Sequence, residues 1–116
     1  MKRDMDLIRR IMLEVESMED TTRLYNVSFD DVPKELVNYH VKLLIDAGLV
    51  EGQCLYGTQY SVKSLTWNGH EFLDNAKNPS VWSKTKSFVA EKGGSASMSI
   101  MMELVKQFAL KQFELE

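Results

Sequence analysis

PKELVNYHVKLLIDAGLVEGQCLYGTQYSVKSL, residues 33–65, changes its hydrophobic period at Gly48. Before that glycine, Leu36, Leu43, Leu44 and Ala47, with His40 among them, gather on one side at 100° per residue. Lys34, Glu35, Asn38, Tyr39 and Lys42 lie mostly on the other side. Pro33 has a φ already suited to a helix and no N–H to leave unpaired, so it opens this helix; Gly48 ends it. After Gly48, LVEGQCLY and QYSVKSL are rich in strand formers and are joined through Gly57, which predicts a β-hairpin over 49–65. His40, inside the apolar stripe, reads as a core imidazole with one nitrogen satisfied rather than as a ligand or catalyst.

On the N-terminal side, SFDDVP has capping-box-like spacing between Ser28 and Asp31, but Pro33 forbids a regular helix running through. A short turn is expected there, preceded by the polar connector EDTTRLYNV. Earlier still, Asp4 can cap a helix over 4–18 that carries Met5, Ile8, Ile11, Met12, Val15 and Met18 at three-to-four spacing. Its polar face holds Lys2, Arg3, Arg9 and Arg10, a solvated face in the plainer reading and a polyanion contact in the sharper one. On the C-terminal side, Thr66 can cap a helix that turns Phe72, Leu73 and Ala76 inward. Asn78-Pro79 stops it and starts another with Val81, Trp82, Thr85, Phe88 and Val89 inward, ended by Gly93-Gly94. Trp67 and Trp82 could stack on bases, but as large apolar residues beside helix starts they read as core anchors.

These elements predict a mainly α fold with a small β-hairpin, a winged helix-turn-helix with additional C-terminal helices. The expected division is a winged-helix domain over 1–92 and a C-terminal helix within 93–116 that packs on it or on a second chain. A chain of 116 residues with 44% hydrophobic content supports one core. The charged start MKRDMDLIRR and the lack of a long apolar run point to the cytoplasm and away from a membrane. One cysteine, Cys54, with His40 and His70 at unrelated spacings gives no disulfide and no zinc pattern. No phosphate-cradling, dinucleotide, nucleophile-elbow or metalloprotease motif occurs, so no catalytic residue, metal or cofactor is expected.

Several stretches carry a resemblance: MKRDMDLIRRIMLEVE, VNYHVKLLIDAGLVEG, LTWNGHEFLD and VWSKTKSFVAEKGGS. In this order they resemble a bacterial and phage family, the domain of unknown function numbered twenty-five thirteen. The resemblance implies a winged-helix-like fold and residence in prophages and mobile elements of mainly Gram-positive hosts; no activity is established for that family. VNYHVKLLIDAGLVEG is also similar to the reading helix and first wing strand of small metal-responsive repressors, and LTWNGHEFL resembles the entry to the helix after the wing. The repressors' metal-binding cysteines have no counterpart, and the spacing before Pro33 is short for two full helices.

Two functions fit such a scaffold. One is a DNA-binding accessory or regulatory protein of phage or prophage type, contacting double-stranded DNA through Lys34, Asn38, Tyr39 and Lys42 of the helix and Gln53, Tyr56, Gln59 and Lys63 of the wing. The other is a protein–protein interaction module on the same scaffold, taking a host or phage protein without DNA binding. The net charge of −3 argues against strong DNA affinity, and the excess is local, with Glu19, Asp20, Asp30 and Asp31 set against Arg23 alone. Over 97–114 the apolar residues spread around more than half the helix, Ile100, Met101, Leu104, Val105 and Phe108 on one flank and Met102, Ala109 and Phe113 on the other. If the first flank docks on the domain, the second is a candidate homodimer interface.

Overall fold

The computed structural model describes residues 1–115 and is mainly helical, with one two-stranded antiparallel hairpin among the described residues. The order is α1 (Met5–Glu16), α2 (Lys34–Asp46), β1 (Val50–Leu55), β2 (Gln59–Leu65), α3 (Trp67–Ala76), α4 (Pro79–Glu91) and α5 (Met98–Leu115). The chain divides into two compact units, Met1–His70 and Glu71–Glu116. This boundary falls inside α3, and within the second unit α4 packs on α5. Among the described residues no helix is long and apolar enough to cross a membrane.

In the first unit α1 is fixed at its start by Asp4, whose Oδ1 accepts from the Asp6 and Leu7 amides at 3.0 and 3.2 Å. Leu7, Ile8, Ile11, Met12 and Val15 are buried along one face, and α1 packs on α2 and β2. Segment 28–33 makes only a turn, in which the Val32 amide donates to Phe29 O at 3.3 Å. Arg10 reaches that turn from α1 and donates to both Asp31 oxygens, at 2.9 and 3.0 Å, while its guanidinium lies 4.1 Å from the Phe29 ring centroid. Arg10 is therefore a tether and not simply part of a solvated face. Its hydrogen bond holds the Asp31 carboxyl below its ordinary range.

The polar connector contributes more than sequence reading assigned to it. Tyr25 exchanges both backbone hydrogen bonds with Val62, at 2.8 and 2.9 Å, and gives β2 a neighbour on its second edge. α2 ends just before Gly48, whose amide donates to Ile45 O and whose φ of +72° turns the chain so that the Leu49 amide donates to Leu44 O, each at 3.0 Å. β1 and β2 pair from Val50↔Leu65 to Leu55↔Gln59, with the register shifting between Glu51 and Gly52. At the hairpin tip Tyr56 and Gly57 both have positive φ, 55° and 77°.

The sequence LTWNG forms the joint at the hairpin's base. Thr66 Oγ1 accepts from the Gly69 amide at 3.0 Å, capping α3, and donates to Gly48 O at 2.6 Å. The Thr66 amide donates to Leu49 O at 3.1 Å. A Cβ on residue 69 would lie 2.0 Å from Leu49 O, so only glycine allows α3 to start this close to the end of α2.

In the second unit Phe72, Leu73 and Ala76 are buried as predicted. Asn78 caps α4 by accepting from the Ser80 and Val81 amides, with Pro79 in the first turn. Val81, Trp82 and Thr85 are buried, and the Trp82 ring meets Phe72 edge-on at 6.3 Å. Phe88 meets Phe108 of α5 at 6.0 Å, and Met101 and Val105 complete the buried side of α5. Three expectations fail: Trp67 is 79% exposed and is no core anchor, Phe88 is 38% exposed although its helical position predicts an inward side chain, and Ile100 is 53% exposed although its position predicts the docked flank.

Candidate functional site

The buried stripe of α2 is Val37, His40, Val41 and Leu44. Leu36 and Leu43 are only half-buried and Ala47 is exposed. The stripe is turned by about 60° from the one read in the sequence, because β1 and β2 pack against one flank of α2 and cover its valines. His40 keeps its inward place. It is fully buried; Nε2 accepts from the Asp4 amide at 2.8 Å, which leaves Nδ1 to donate to Leu36 O at 2.8 Å. Both nitrogens are thus engaged, not one, and the ring joins the cap of α1 to α2.

The rotation changes the position of the residues proposed to reach DNA. Asn38 lies on the flank facing the hairpin, where Nδ2 donates to Thr58 O at 2.9 Å and Oδ1 accepts from the Tyr60 amide at 2.8 Å. Its amide is a clamp on the hairpin. Lys34 is exposed and lines a small pocket of ≈ 230 Å³ with Asn38 and Gln59, whose Nε2 donates to Tyr60 O at 3.1 Å. Gln53 and Lys63 line a different cleft with Thr22 and Glu51, so of these hairpin residues the structure brings Gln59 to Lys34 and Asn38 but not Gln53 or Lys63. Tyr39 is half-buried, its ring edge-on to His40 at 5.7 Å. Lys42 pairs with Asp46 at 2.8 Å, and that hydrogen bond raises the ammonium above its ordinary pKa.

At 100° per residue the side of α2 opposite the buried stripe carries Glu35, Tyr39, Lys42 and Asp46. Glu35 and Asp46 are both exposed, and sequence reading gave neither a role. The signal was their 4-3-4 spacing with Tyr39 and Lys42, hidden by a misplaced stripe. The first unit as a whole holds eight Lys and Arg against eleven Asp and Glu in residues 1–70, so all of the net charge of −3 resides there. Tyr56 at the hairpin tip is 96% exposed, a bulky side chain in a left-handed conformation that costs about 1 kcal/mol.

Of the three residues assigned to a C-terminal interface, Ala109 and Phe113 line one groove of the second unit, and Phe113 is 80% exposed. Met102 is half-buried and lies outside that groove. Leu110, 56% exposed and unremarked in the sequence, lines it instead.

Comparison with known proteins places the chain beside an "Uncharacterized protein" of Haemophilus influenzae, 37% identical over 113 residues, which cover 94% of this chain and 92% of that protein. No solved structure matches. A family model described as "Hypothetical protein (DUF2513)" matches residues 2–95, and the chain belongs to that family.

Proposed function

We propose that this chain is a non-catalytic winged-helix module whose α2 face binds a phage or host protein in place of DNA. The order of α1, turn, α2 and hairpin supports the scaffold, as does the Tyr25–Val62 bridge that adds a third extended segment. The occupied amide of Asn38 carries the choice of partner. An asparagine reads adenine by giving and taking a hydrogen bond at once, and Asn38 already does both with the hairpin backbone. The outward side offers Glu35, which would oppose phosphates, and its one lysine is neutralised by Asp46. An aromatic ring between carboxylates suits a basic protein surface, since tyrosine is favoured where water is excluded between proteins.

DNA contact is the second reading, favoured by one observation: the Asn38 clamp holds the hairpin firmly beside α2, as a helix and wing that act together require. A gel shift on random-sequence duplex DNA at low salt separates the two. No retarded complex is expected, and one with a steep salt dependence would reverse the assignment. In parallel, a photo-crosslinking residue at position 39 should give protein adducts in cells, diminished by Glu35→Lys with Asp46→Lys. Adducts to nucleic acid would count against the proposal.

A further inference from the structure

The second unit contains a groove of ≈ 620 Å³ between α3 and α5. Glu71 and Asp74 of α3 line one side, Lys106, Leu110 and Phe113 of α5 the other. Buried Val81 and half-buried Ala109 give it an apolar base. Spacings of four and three residues put Lys106, Leu110 and Phe113 on a single stripe of α5, turned away from buried Met101 and Val105. Leu110 and Phe113 leave most of their surface uncovered within the unit, and apolar surface of this kind marks a contact.

We infer that the groove receives α5 of a second copy of this chain, in a two-fold dimer where each copy's stripe enters the other's groove. Charge identifies the occupant. The α3 wall of the groove is acidic and its α5 wall pairs one lysine with two apolar side chains, so a two-fold rotation sets each wall against its complement. A two-fold axis satisfies both at once: Lys106 of each copy meets Glu71 and Asp74 of the other, while Phe113 of each covers the other's Val81 and Ala109. Asp74 already has Lys77 at 3.7 Å, so Glu71 is the sharper probe. The inference uses only residues 71–116 and stands apart from the partner proposed for α2.

Sedimentation of the full chain across about a hundredfold dilution in the micromolar range tests it. The expected result is a reversible species of twice the 13.3 kDa chain mass. Phe113→Glu should raise the dimer Kd on the order of tenfold or more. Since Phe113 is exposed, its circular dichroism spectrum should not change. Lys106→Glu alone and Glu71→Lys alone should each weaken self-association by setting like charges together. Mixed in equal amounts, the two variants should form a heterodimer tighter than either homodimer, because opposite charges face each other again at both contacts. This mixing result requires that Lys106 and Glu71 meet between chains. A single 13.3 kDa species throughout, a dimer that survives Phe113→Glu, or a mixture no tighter than its components would each overturn the inference.

Discussion

His40 was legible in the sequence because its helical angle falls within the run of leucines, and the structure buries it fully. Its hydrogen bond from the Asp4 amide, 36 residues away, was not legible, since no local pattern encodes a tertiary partner. His40→Lys would put an ammonium among apolar side chains and leave the Asp4 N–H without its acceptor. A loss of about 3 kcal/mol or more is expected in urea denaturation. An unchanged midpoint would mean that the side chain at position 40 has a route to solvent. Trp67 was misread for a related reason. Gly69 must face the Leu49 carbonyl, and Phe72, Leu73 and Ala76 share that side of α3, so residue 67 falls on the opposite side. The size of tryptophan argued for burial, and the geometry of the helix start overrode it.

Element boundaries were the clearest part of the sequence, because caps are local chemistry. Asp4, Gly48, Thr66 and Asn78-Pro79 each start or stop a helix as expected, through bonds that span only a few residues. What the sequence did not determine was which flank of α2 meets the hairpin. Leucines and valines alternate around that helix, so two stripes were nearly equal in apolar content and the hairpin's packing selected the valine side. The candidate site moved with the stripe, and Asn38 passed from the proposed DNA surface to a structural clamp. Asn38→Ala is therefore expected to cost about 1–3 kcal/mol by leaving the Tyr60 amide without its acceptor. Hydrogen exchange at Tyr60 should accelerate more than at α1, and Asn38→Asp, which can still accept, should retain part of the protection. Equal acceleration in both places would show a general loss of stability rather than release of the hairpin. At the other end of the hairpin, Gly69→Ala must separate α3 from Leu49 and should lower the melting temperature; a neutral result would show that this joint gives way easily.

At the scale of the molecule, composition correctly indicated an acidic chain, but only the fold shows that the excess belongs to the first unit and that some of its carboxylates are engaged. Asp31 lies below its ordinary pKa of 3.8 because Arg10 hydrogen-bonds to it, and Asp20 lies below 3.8 because the Thr22 hydroxyl and amide donate to it. A carboxyl with a lowered pKa holds fewer protons in the folded chain than in the unfolded one between the two values. The stability it contributes is complete above 3.8 and is lost as pH falls through the folded-state pKa. Both side chains are solvent-exposed, so the contribution is small and salt screens it. Asp31→Asn keeps the shape of the turn and removes the charge that Arg10 meets. Its melting temperature should therefore lie below that of the parent at neutral pH and low salt, and the gap should narrow with added salt. As pH falls below 3.8 and on through the lower folded-state pKa the gap should close, because the parent's Asp31 then becomes neutral as well. Thermal denaturation of both proteins over that range checks the sign directly: a gap that persists unchanged in acid would trace the loss to packing of residue 31 in the turn and not to its ion pair with α1.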